Sequence, residues 1–212
     1  MNLPRLLPLF RWLAAATVFE VLLTGAFATT VVPPDFNQLV NESDYIIRGV
    51  VKSVTSEYRA TTTGKGRKII TKVEVQVLEV VAGTPSPTVV LEMLGGRVGN
   101  DRMTLEGAPQ FNVGDEDILF VSGNGQTIYP LVGMMHGRYP VMQEAATGRR
   151  YVARSNKVPL QDPAEVALPM TEGPAAGIQL KLKSPAHALT PEQFIQRVKA
   201  AVKPDYVRTQ QN

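Results

Sequence analysis

Lys72, Glu74 and Gln76 alternate with Val73, Val75 and Val77. A period of two places the three valines on one face, so this stretch reads as a strand with one buried and one wet side. At Leu78 the phase changes, and Leu78 and Val80 take the parity that was polar, which predicts a β-bulge near Val77-Leu78. An earlier β-type run, Tyr45-Ile46-Ile47-Arg48-Gly49-Val50-Val51-Lys52-Ser53-Val54, holds Gly49 in its interior, where glycine marks a bend. Two long, bent strands in succession predict a small, closed or nearly closed barrel rather than a flat sheet. Shorter strands are expected at residues 88–94, 103–106, 118–121, 127–132, 138–142 and 150–153. Gly123-Asn124-Gly125 and Thr147-Gly148 supply turns that make hairpins of the last four.

Helical spacing is found at the two ends of this β region. After Pro33-Pro34-Asp35, the residues Phe36, Leu39 and Val40 recur at i, i+3, i+4 and predict a short amphipathic helix. Near the C-terminus, Thr190-Pro191-Glu192-Gln193 combines an N-cap threonine, proline at the first helical position and glutamine three residues on. Phe194, Ile195, Val198, Ala201 and Val202 give this helix an apolar stripe, and Lys203-Pro204 ends it. Between these regions, residues 155–189 are punctuated by Pro159, Pro163, Pro169, Pro174 and Pro185 and read as a mostly irregular Pro/Ala-rich connector.

The N-terminus changes the compartment. Arg5 and Arg11 precede a largely apolar stretch, and Ala26-Phe27-Ala28 has the form of an Ala-x-Ala cleavage site, the three-part layout of a secretory signal peptide. The expected organisation is a signal peptide over residues 1–28, a β-barrel domain over 29–154, the connector over 155–189 and a C-terminal amphipathic helix over 190–203. Cleavage near Ala28 would place the chain outside the cytoplasm, periplasmic or secreted, without stable membrane insertion of the mature chain. The sequence has no cysteine, which excludes disulfides, a thiol nucleophile and cysteine-ligated zinc. The net charge of +3 is spread among acids, so a nucleic-acid surface, which needs clustered Lys and Arg, is not expected.

The order of signals over residues 39–123 resembles the netrin-like, OB-type barrel of tissue inhibitors of metalloproteinases and related modules. Leu39-Val40 followed by Ser43-Asp44-Tyr45-Ile46-Ile47-Arg48-Gly49-Val50-Val51 matches a first helix end and first barrel strand. Val77-Leu78-Glu79-Val80-Val81-Ala82-Gly83 matches the turn after the long second strand, with Ala82 where the pattern has Lys. Val113-Gly114-Asp115-Glu116-Asp117-Ile118-Leu119-Phe120 matches a strand near the end of the barrel. The resemblance implies a mainly β fold: a small OB-like antiparallel barrel with a short N-terminal helix and a C-terminal helix. It does not carry over the family's inhibitory chemistry, which uses a disulfide-held N-terminal cysteine on zinc, because the expected mature chain here begins at Thr29.

No residue set declares catalysis, a metal site or a cofactor. Asp115-Glu116-Asp117 lacks the alternating spacing of a calcium loop. The glycines of residues 95–99 lack the Lys-Ser/Thr of a phosphate loop. The leading expectation is therefore an exported, non-catalytic binding or accessory module for an extracytoplasmic protein or polymer. Its contact surface would be the loops at residues 61–66 and 95–109, with Arg97, Asn100, Asp101, Arg102 and His136 as candidate binding residues. The alternative is a hydrolase whose carboxylates converge only in the fold, with Glu106, Asp115 and Glu116 able to supply an acid–base pair, a reading that a pocket holding two of them within reach of His136 would strengthen.

Overall fold

The structure is a computed structural model, and it describes residues 32–61, 64, 66–170, 178 and 182–203. The expected leader and its cleavage site lie outside the described residues. Helix α1 (Phe36–Asn41) starts with a capping box: the Asp35 side chain accepts from the Gln38 amide at 2.8 Å, and the Gln38 side chain accepts from the Asp35 amide at 3.0 Å. Its Leu39 and Val40 face the core.

Strands β1 (Tyr45–Ala60) and β2 (Arg67–Ala82) pair antiparallel along almost their whole length. The pairing skips Lys52 in β1 and Leu78 and Val81 in β2, so each is the extra residue of an irregular step. The phase change in the sequence at Val77-Leu78 is one of these bulges. It does not bury its apolar residues, since Leu78 and Val80 remain 52% and 45% exposed. At Lys52 the extra residue moves the inward-facing set from Ile47 and Val51 to Val54 and Ser56. Gly49 sits where the two backbones come closest: a Cβ there would lie 2.5 Å from Val75 Cγ1 and 2.8 Å from the Gln76 carbonyl oxygen.

The remaining strands are β3 (Thr88–Leu94), β4 (Gly96–Val98), β5 (Asp101–Met103), β6 (Glu116–Val121), β7 (Arg138–Gln143) and β8 (Arg150–Val152). Six form one antiparallel sheet in the order β3-β2-β1-β6-β7-β8. No ladder joins β3 to β8, so hydrogen bonding does not close this sheet into a barrel. Strands β4 and β5 form a separate two-stranded ribbon.

The fold is mainly β, and its sheet is covered on both faces. On one face Ile46, Ile118, Phe120 and Tyr139 pack with α1 and with α2 (Pro191–Ala201), whose Phe194 ring centroid lies 5.1 Å from that of Tyr139. On the other, Ile47, Val73, Val75, Leu91, Leu119 and Val121 form a second core under the loop that follows β5. Consecutive residues of β6 alternate between these cores, which explains why Ile118-Leu119-Phe120-Val121 is apolar without interruption.

Three expectations change in detail. The strand expected at 103–106 is β5, displaced to Asp101–Met103, and residues 104–106 are not strand. Residues 127–132 make no ladder strand: they approach β6 through the single Val121–Leu131 bridge, with Ser122 N donating to Pro130 O at 3.1 Å and Val132 N to Phe120 O at 3.0 Å. Pro130 has no N–H to give, and the Thr127 hydroxyl binds the Gly123 and Tyr129 carbonyls, holding the chain in a turn. The first half of the expected connector contributes Val158, Leu160 and Val166, all essentially buried, the last on the short 3₁₀ turn Pro163–Ala167. The α2 capping box, Thr190 with Gln193, forms as the sequence reads.

Candidate functional site

The β4–β5 ribbon is built by a two-residue turn, Gly99-Asn100, with Gly99 at φ +59°, the first turn position at which a II′ hairpin takes glycine. Its near end lies directly on β1 and β2. Gly95 N donates to Ile69 O at 2.8 Å, and Thr71 Oγ1 donates to Gly95 O at 2.6 Å while lying 2.9 Å from Ser56 Oγ. Gly96 (φ +127°) makes this approach feasible: a Cβ would stand 2.2 Å from Thr71 Oγ1 and 2.5 Å from Ser56 Oγ. The far end is tied by Asp101, which accepts from Tyr58 Oη at 2.5 Å and lies 3.6 Å from Arg67. Arg67 in turn stacks 3.8 Å over the Tyr58 ring.

Held at both ends, the ribbon and the loop after it roof a cavity of about 310 Å³. Val54, Val73, Met93, Leu105 and Phe111 supply an apolar lining, and Ser56, Thr71, Tyr129, Arg97 and Arg102 supply polar groups. Tyr129 is 7% exposed, and its hydroxyl is buried without a hydrogen-bond partner. Burial raises this phenol above the ordinary tyrosine value, so it stays a neutral donor.

The sequence-derived candidates separate here. Arg97 and Arg102 line the cavity and face one another across the ribbon as a directly paired couple. Arg97 Nε is held by Gly99 O at 3.0 Å and Arg102 Nε by Thr104 Oγ1 at 3.1 Å. Asn100 is an exposed turn residue, and Asp101 is the tether just described. His136 lies elsewhere, on the 3₁₀ turn Met134–Gly137, and is 2% exposed. Burial first, then the neighbouring Arg154 guanidinium, push its imidazole down to about 4, against a hydrogen bond with the Val166 backbone.

Among the described residues, Glu106, Asp115 and Glu116 make no hydrogen bond or ion pair with His136. Glu106 is exposed. Asp115 accepts from Arg138 at 2.7 Å, and Glu116 bridges Arg48, at 2.7 Å, and Arg150. Arg138 also clamps the fully buried Asp117, with Nε to Oδ1 at 2.8 Å and Nη2 to Oδ2 at 3.1 Å. Burial raises the Asp117 carboxyl against the pull of that guanidinium. Asp115, Glu116 and Asp117 are thus held in ion pairs with arginines. Among the described residues no cluster of His, Asp or Glu has the composition of a metal site. No helix among them is long and apolar enough to cross a membrane.

Searches against family models, curated proteins and solved structures find no match to this chain.

Tyr129, Phe111 and the Ser56–Thr71 pair are not among the residues singled out from the sequence. Thr71 had a signal: it occupies the apolar parity of β2, between Ile69 and Val73. Tyr129 had none, because it lies in an irregular segment whose facing is set by the turn before it.

Proposed function

We propose that this chain is an exported, non-catalytic binding module whose ligand enters the cavity beneath the β4–β5 ribbon. The carrying observation is the hollow itself, with its floor of Val54, Val73, Met93 and Phe111 and with Tyr129, whose buried hydroxyl has no partner, among its lining residues. Leaving such a group unsatisfied costs about 1–3 kcal/mol, and a ligand acceptor would recover part of that. A hollow of about 310 Å³ is at the small end of the range of small-molecule sites. The ligand is therefore a small molecule with a mostly apolar body, or one protruding group of a larger partner. The netrin-like, OB-type relationship belongs to the same reading, supported by the long, bulged β1–β2 pair and by a binding face made from loops.

The test is titration of the purified mature chain with 1-decanol, followed by amide NMR. Shifts confined to the lining residues, and abolished by filling the hollow with Ala108→Phe, are the expected result. Shifts scattered over the surface, or unchanged in the filled variant, would sink the proposal. Export is tested separately by fractionation and N-terminal sequencing, with Thr29 expected as the first residue.

A further inference from the structure

We infer that the ligand is an amphipathic organic anion, whose apolar body fills the hollow and whose acidic group sits between Arg97 and Arg102; this rests on the cavity being the binding site. In an antiparallel ribbon directly opposed residues hold their Cβ atoms about 5 Å apart on one face. Arg97 and Arg102 are such a pair, and like charges in that position destabilise a ribbon. Several other arginines are neutralised: Arg59 by Glu92 and Glu57, Arg48 by Glu116 and Glu192, Arg67 by Asp101. Neither Arg97 nor Arg102 has an ion-pair partner among the described residues. Both are exposed and both line the cavity, so they stand at its rim. Their Nε–H groups are held by Gly99 and Thr104, which fixes the side chains locally and leaves the outer guanidinium N–H groups to donate.

Two planar guanidiniums at an apolar mouth suit a carboxylate, sulfate or phosphate monoester, each of which accepts paired N–H donors. Tyr129, whose hydroxyl has no partner, is among the lining residues and is the nearest further donor for an acceptor atom on the ligand body. A bare inorganic anion would leave the apolar lining unused.

The experiment compares decanoate with 1-decanol by calorimetry, using wild type and the Arg97→Gln/Arg102→Gln double variant. Both arginines are exposed, so the variant keeps the core intact, and unchanged amide spectra outside the ribbon would verify this. Decanoate should bind about tenfold or more tightly than decanol in wild type, as expected for a charge-assisted pair of hydrogen bonds. That preference should shrink with added salt and disappear in the double variant. Equal binding of the two probes at the lining residues would overturn the anion inference and leave the cavity reading standing. A decanoate preference that survives the double variant would also overturn it. Failure of both probes to shift any lining residue would remove both.

Discussion

Lowering the pH from 7.5 to 5.0 should destabilise this fold through one side chain. His136 is one of two histidines, and the other, His187, is exposed. The His136 imidazole is 2% exposed, its Nδ1 has no partner, and Arg154, itself 2% exposed, already places a cation beside it. A proton there would create a second buried positive charge. The folded-state value is about 4 against an ordinary 6.5, so the unfolded chain takes up the proton first. Above pH 6.5 both states are neutral and the full stability is present. It is then lost as pH falls from 6.5 towards 4. The slope for one proton is about 1.4 kcal/mol per pH unit, so the loss is roughly 2 kcal/mol by pH 5 and roughly 3 kcal/mol by pH 4. For a domain whose total stability is of order 5–15 kcal/mol, that is readily measured. Urea unfolding followed by circular dichroism at pH 7.5, 6.5, 5.5 and 5.0 supplies the values, with His136→Gln as reference. Every other ionisable group is common to the two proteins, so the difference between the profiles isolates His136. The wild-type curve should fall more steeply than the variant's between pH 6.5 and 5. Parallel profiles would refute the reasoning, because they would mean that the imidazole is solvated or protonated in the native state.

Other perturbations act on the scaffold. Asp117→Ala should cost about 3–5 kcal/mol, because Arg138 is left buried without its principal partner; a urea midpoint within error of wild type would show that the clamp is not needed. Replacing both members, Asp117→Leu with Arg138→Met, should recover much of that loss, since desolvating the pair offsets most of its attraction. Gly49→Ala should destabilise by about 1–3 kcal/mol through overlap with Val75 and the Gln76 carbonyl. Thermal unfolding reads this directly, and a neutral result would mean that β1 and β2 can separate locally at the bend.

Where one face of an element alternates against water, the sequence was readable. β2 is visible in Val73, Val75 and Val77, β3 matches the expected bounds, and both helices announce their starts with capping residues. The bulge at Leu78 could be read because it changes a parity. The bulge at Lys52 could not, because Ser53 and Thr55 are compatible with either face. Sheet closure does not follow from the sequence: bulges and Gly49 imply coiling, and coiling alone does not say which edges meet. The β4–β5 ribbon was missed although Gly99-Asn100 between Val98 and Asp101 is a two-residue hairpin signal; the glycines around it suggested a loop instead. Within the site, Arg97 and Arg102 could be named from the sequence. Their face-to-face pairing could not, because it follows from the turn length. His136 was singled out as polar and rare, and its burial beside Arg154 depends on contacts across the second half of the chain.

The position of the hollow follows from the same local departures from regularity. A regular antiparallel pair would present Val54 and Ser56 on the outer face of β1; the extra residue at Lys52 turns them inward, beside Thr71 and Val73. That leaves two hydroxyls in an apolar neighbourhood, where each needs a partner. They bond to each other and to the Gly95 carbonyl, which brings the backbone at Gly96 closer than any side chain would permit. The ribbon that starts there must therefore lie across the sheet face instead of joining an edge, and Tyr58 and Asp101 fix its other end. A span anchored at two points over a curved apolar surface encloses a space between its supports. Among the residues that line that space, Tyr129 has a buried hydroxyl without a partner, and it lies outside the ribbon and outside its anchors. Ser56 and Thr71 are accounted for by holding the roof in place, so the polar groups of the lining divide into those that build the hollow and those, Tyr129 among them, that its construction does not use.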